Sequence, residues 1–117
     1  MTVAPGILNL RFPQGATWDL SLTYLDSNGD PIDLTGYAAR MQMRQSYEAE
    51  PAVLSLLTGG AGITLGGTAG TIDITVSASV TNDIPALQYV YDLEVEASGV
   101  VTRVVQGLIT VSPEVTR

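Results

Sequence analysis

The sequence predicts an all-β domain, a small sandwich of seven or eight short antiparallel strands. Three observations carry this prediction. The hydrophobic period along the chain is two rather than 3.6. The segments with that period are separated by dense turn formers. The chain of 117 residues has the length of one domain, and short strands with glycine turns over such a length match an immunoglobulin-like sandwich in size. A small barrel is the competing architecture.

Strands are expected near 7–12, 16–25, 37–45, 52–57, 63–65, 71–76, 88–96 and 100–111. Trp18, Leu20, Leu22 and Tyr24 alternate with Asp19, Ser21 and Thr23. Asp26-Ser27-Asn28-Gly29-Asp30-Pro31 follows, and Asn28-Gly29 is a strong hairpin signal. Tyr37, Ala39, Met41 and Met43 alternate with Arg40, Gln42 and Arg44. Gly59-Gly60-Ala61-Gly62 and Gly66-Gly67-Thr68-Ala69-Gly70 bracket a very short strand and read as tight turns. Ile72, Ile74 and Val76 alternate with Thr71, Asp73 and Thr75. The polar segment from Ser77 to Ile84, stopped by Pro85, holds one short helical turn near 77–84, capped by Ser77 or Ser79, with Val80 and Ile84 plugging one end of the sandwich. Tyr89, Tyr91, Leu93 and Val95 alternate mostly with Asp92, Glu94 and Glu96, and Ser98-Gly99 turns the chain into the last strand. Gly107 interrupts that strand and marks a bulge. Each alternating segment offers one dry and one wet face, the habit of antiparallel sheets. The expected core is Trp18, Leu20, Leu22, Met41, Met43, Ile72, Ile74, Leu93 and Val95. Residues 1–117 read as one domain, with a core of about 7–111 and short arms at 1–6 and 112–117.

Composition removes most chemistry. Twelve carboxylates against five arginines give a net charge of −7, and the chain has no Lys, His or Cys. A zinc finger, a thiolate nucleophile, a histidine base and a Schiff-base lysine are therefore excluded. An acidic chain suits neither nucleic acid nor an anionic membrane. At 45% hydrophobic and 15% charged it is apolar enough to bury a core. No apolar run approaches the roughly 20 residues of a spanning helix, and no secretory signal is legible. The chain is expected not to be an enzyme and to hold no cofactor or metal.

The remaining constellations have plain structural readings. Asp26-x-Asn28-x-Asp30 has calcium-loop spacing, but Pro31 replaces the glycine and Tyr37 the bidentate glutamate, so it reads as an Asx turn. Asp33-Leu34-Thr35-Gly36 is a single imperfect copy of a motif that needs two carboxylates. Asp92, Glu94 and Glu96 share one strand face and read as a solvated row that can receive Arg40 or Arg44 from a neighbouring strand. Tyr47, in a loop with Glu48 and Glu50, is the candidate for contact with another molecule. The arms are the other candidates: Pro5 in the first, Pro113 and Arg117 in the second, neither with strand alternation and both free to lie along a neighbour.

The run Gln14-Gly15-Ala16-Thr17-Trp18, the stretch from Asp26 to Arg44, Gly62-Ile63-Thr64-Leu65-Gly66-Gly67, Tyr91-Asp92-Leu93-Glu94, Val101-Thr102-Arg103 and the ending from Gly107 to Arg117 cover nearly the whole chain. Together they resemble small tailed-bacteriophage and prophage virion proteins, and are similar to the immunoglobulin-like N-terminal domain of phage upper-baseplate proteins. The resemblance implies a structural virion component of the tail, in the baseplate or at tail-fibre attachment. It implies packing against other virion proteins in several symmetric copies, after synthesis in the host cytoplasm. A capsid decoration protein of the head is the alternative. An alternative of another class is a free module that binds carbohydrate or a host protein. A carbohydrate reader needs exposed aromatics with convergent polar groups, and the single Trp falls at an inward position.

Overall fold

The computed structural model describes residues 2–3 and 6–115. Its strands are β1 (Thr2–Val3), β2 (Gly6–Ile7), β3 (Leu10–Pro13), β4 (Trp18–Tyr24), β5 (Ala38–Arg44), β6 (Leu54–Thr58), β7 (Gly62–Leu65), β8 (Thr71–Val76), β9 (Gln88–Ala97) and β10 (Val100–Ser112). They form one curled mixed sheet in the order β1-β4-β8-β7-β6-β5-β9-β10-β2, with β3 also on β10. The fold is all-β, as predicted.

The path bends between β6 and β7. Gly59, Gly60 and Gly62 all have positive φ there, a conformation glycine adopts without a steric penalty. The bend divides the sheet into a smaller layer, β1-β4-β8-β7, and a larger one, β6-β5-β9-β10 with β2 and β3 both on β10. One hydrophobic cluster joins them. It holds eight of the nine expected core residues, and Leu20 packs against it half-buried.

Four pairings depart from the antiparallel expectation. β1 lies parallel to β4, β2 and β3 parallel to β10, and β6 parallel to β7. Alternation reports which face is dry and says nothing of strand direction. Between β3 and β10 the crossover of the parallel pair is most of the domain, whereas β6 and β7 pair only at Leu57 with Gly62 and Thr58 with Ile63, across the short glycine-rich link at 59–61. Thr2–Val3, Gly6 and Ser112, assigned from sequence to loose arms, belong to strands. The C-terminal segment is held further: Gln14 N–H donates to the Ser112 carbonyl at 2.8 Å, and Glu114 N–H donates to Gln14 Oε1 at 3.3 Å.

The bulge in β10 falls between Arg103 and Val105, not at Gly107. Val104 and Val105 are both buried, so the extra residue reverses the phase of the strand. The short helix α1 (Ala78–Asn82) lies where expected, and Ser77 is its N-cap residue. The Ser77 hydroxyl faces that of Ser79 rather than the backbone. Ile84 is buried as predicted, but Val80 is exposed. The buried position beside Ile84 goes to Thr81, whose hydroxyl donates to the Ala16 carbonyl at 2.8 Å. No helix among the described residues is long and apolar enough to cross a membrane.

Candidate functional site

Register fixes which side chains share the outer face of the larger layer. Gln42 pairs with Asp92, which pairs with Gln106. One step along, Arg40 pairs with Glu94 and Glu94 with Arg103; on the other side, Arg44 pairs with Val90 and Val90 with Leu108. Leu57 of β6 extends the Arg40 row, Val101 sits beside Glu96, and Ile7 lies beside Gln106. The face has a polar centre and an apolar margin. Ile7, Leu57, Val101 and Leu108 are all exposed on it, Ile7 at 77%.

The acidic row predicted from Asp92, Glu94 and Glu96 is partly neutralised in place. Arg40 bridges Glu94 at 3.0 Å and Glu96 at 3.2 Å. Arg103 lies 3.6 Å from Asp92. Arg44, the other expected partner of the row, instead donates to the Ala49 carbonyl at 2.6 Å and to Gln42 Oε1 at 2.9 Å. It thereby braces the loop that carries Tyr47. These are exposed pairs, screened by water and salt, so they order the face more than they stabilise the fold.

Burial pushes the Asp92 carboxyl above its ordinary range, and Glu94 adds to this; Arg103, Arg44 and Arg40 oppose it. A carboxyl raised in the folded state holds its proton more tightly there than in the unfolded chain. Its ionisation opposes folding at neutral pH, and that cost fades as pH falls through the raised value and is gone below about 3.9. Asp92→Asn is expected to raise the melting temperature at neutral pH and to lose the advantage in acid. Thermal melts across pH check this, and a variant less stable than the native chain at neutral pH contradicts it.

The other predicted site residues are scattered. Tyr47 is 81% exposed, and Glu48 and Glu50 are exposed in the same loop. Pro113 is exposed beyond β10, far along the chain from that loop. Pro5 and Arg117 lie outside the described residues. The Asp26 carboxylate accepts from Asn28 N–H at 2.9 Å and Asp30 N–H at 3.0 Å, which is the Asx turn expected there. Asp33 is likewise engaged by Thr35, whose hydrogen bonds hold its carboxylate below the ordinary range.

Sequence reasoning named Tyr47 but not the surface beneath it. Gln42, Arg44, Asp92, Arg103 and Gln106 surround a shallow depression of about 130 Å³ with Tyr47 at its margin. Alternation places Gln42, Arg44 and Asp92 on wet faces. The bulge at Val104 hides the fact that Arg103 and Gln106, three residues apart, point the same way.

No known family's profile matches the chain, and no curated protein matches it in sequence. Among solved structures, the fold is similar to the "N-terminal domain of phage TP901-1 ORF48". The TM-score is 0.56 at 10% sequence identity, over 95% of this chain and 96% of that one. At that identity the likeness is one of fold.

Proposed function

We propose that this chain is a structural component of a tailed-phage virion, placed in the tail and acting by packing against other virion proteins. One coincidence carries the reading. The residue runs quoted in the sequence analysis point to phage virion proteins, and independently the fold is similar, nearly end to end, to the "N-terminal domain of phage TP901-1 ORF48". The outer face of the larger layer supplies a surface for such packing. Ile7, Leu57, Val101 and Leu108 surround a centre of paired charges, the arrangement of an apolar contact zone interleaved with orienting polar groups. The reading assigns no catalytic step, cofactor or nucleic acid, and repeated copies in a symmetric particle would multiply a weak contact.

The test is incorporation. Particles from the phage or prophage that encodes this chain are separated into heads and tails, and the protein is located by labelled antibody. It should travel with tails. The double variant Leu57→Glu, Val101→Glu should melt near the native temperature, since both side chains are exposed, yet fail to enter particles. Recovery with heads would favour capsid decoration, and absence from every particle fraction would overturn the virion reading.

A further inference from the structure

We propose that the depression beneath Tyr47 is a binding site for one neutral hexopyranose ring. The inference is independent of where the protein sits in a particle. It starts from the cost of Tyr47. Every other aromatic side chain among the described residues is buried or half-buried, whereas Tyr47 is 81% exposed. An aromatic ring held out in water is an uncovered apolar surface. Nothing in the core requires it to be there. Arg44, through the Ala49 carbonyl, anchors the loop that presents it.

The groups facing it select the ligand's chemistry. Asp92 contributes a carboxylate, Gln42 and Gln106 contribute amides, and Arg44 and Arg103 contribute guanidinium donors. An anion would call for donors alone, and a cation for acceptors alone. A mixture of both suits hydroxyl groups, since each is a donor and an acceptor at once. Asp92 is the central group. Its nearest cation, Arg103, stands at 3.6 Å, an ion-pair distance beyond a good hydrogen bond, so carboxylate lone pairs remain for hydroxyl donors. Gln42 and Gln106 already accept from Arg44 and Arg103 through their amide oxygens, at 2.9 Å in both cases. The Gln106 amide nitrogen is thereby oriented as a donor, while that of Gln42 reaches Ser55 Oγ at 3.5 Å, a contact long enough to yield to a ligand hydroxyl.

Size and shape narrow the class further. The depression measures about 130 Å³, well below the roughly 300–1,000 Å³ of pockets for drug-sized ligands. It accommodates a single ring. A pyranose has an apolar face of axial C–H bonds and an equatorial rim of hydroxyls. The apolar face would pack on Tyr47 while the rim meets Asp92 and the two glutamines. All five polar groups stand on strands of one sheet, so the polar half of the site is held in place before the ligand arrives, and Arg44 ties down the loop that carries Tyr47. The same ring can come free or as the end of a polysaccharide.

The experiment uses the full chain, labelled with nitrogen-15, titrated with methyl glycosides of glucose, galactose, mannose and N-acetylglucosamine. At least one should shift the amides around Tyr47 and Asp92 saturably, with a dissociation constant of about 1 mM, the scale of a small shallow site. Tyr47→Ala and Asp92→Asn should each weaken it about tenfold or more, while Leu87→Ala on an exposed position elsewhere should not. The nitrogen-15 spectrum and neutral-pH melt of Asp92→Asn show whether the variant is folded, and so separate loss of binding from loss of fold. A matching trisaccharide that binds more tightly through the same amides identifies a chain end as the source, and equal binding identifies the free ring. Shifts with inorganic phosphate or glucuronate but with no neutral glycoside would overturn the proposal, as would saturable shifts that survive both variants. No shift with any glycoside into the tens of millimolar would also overturn it.

Discussion

Phe12→Ala should lower the unfolding free energy by about 3–5 kcal/mol, the range for removing a fully buried aromatic. Phe12 is completely buried, and its ring stacks on Trp18 with centroids 4.7 Å apart and planes at 28°. The two rings belong to β3 and β4, one from each layer, joined by the turn at 14–17. They close the sandwich on the side away from the β6–β7 bend. Truncation leaves a cavity the size of a ring between two sheets that are fixed elsewhere by strand pairing, so the site cannot collapse to fill it. Chemical denaturation of the variant measures the effect. A midpoint equal to that of Leu20→Ala, which touches the core only in part, would mean that the layers are not joined through this pair.

Burial of Phe12 was the least legible part of the core. Leu8, Leu10 and Phe12 keep period two, but the run is short and stops at Pro13, so its alternation does not show how deeply Phe12 is covered. What covers Phe12 is the other layer, and no local pattern reports that. The long strands were legible for the opposite reason. In β5 and β9 every second residue is apolar over seven positions or more, so the phase fixes the buried face whatever the neighbour is. Ser98 and Gly99, both at positive φ, form the two-residue turn their types suggest.

The same physical division runs through the surface. The Arg40 bridges to Glu94 and Glu96 follow from two adjacent strands with opposite charges on their wet faces, which alternation exposes once the strands are paired. The turn to the loop of Tyr47 was visible, but the loop's position over Asp92 was not. It depends on Arg44 reaching the Ala49 carbonyl, a side-chain choice between a carboxylate partner and a backbone one. The N-terminal edge was hidden for a third reason. Leu10 pairs with Ile109, so the strand's partner stands at the other end of the chain, and parallel edge strands of two to four residues carry no composition of their own.

At that edge, Gly107→Val should destabilise the domain by about 1–3 kcal/mol, the usual cost of forcing added atoms into a packed place. The glycine is required by close approach rather than by a bulge. Between β2 and β3 the chain leaves the ladder at Leu8 and Asn9 and dips over Gly107. A β-carbon there would stand 2.5 Å from the Leu8 carbonyl oxygen and 2.8 Å from Asn9 Oδ1. Both atoms are engaged. The Leu8 carbonyl accepts from the Tyr91 hydroxyl at 2.5 Å, and Asn9 Oδ1 accepts from Leu108 N–H at 3.1 Å. Burial pushes the Tyr91 phenol well above its ordinary value, which keeps its proton in place for this bond. A side chain at 107 must displace backbone, so the two bonds fail together and the segment from Gly6 to Pro13 loses its seat on β10. Hydrogen exchange in residues 6–13 should rise in Gly107→Val while β5 and β9 stay protected. Asn9→Ala removes only one of the two bonds and should cost about 0.5–1.5 kcal/mol. A Gly107→Val variant with native melting and native protection at residues 6–13 would show that the N-terminal strands do not lie against β10 in this way.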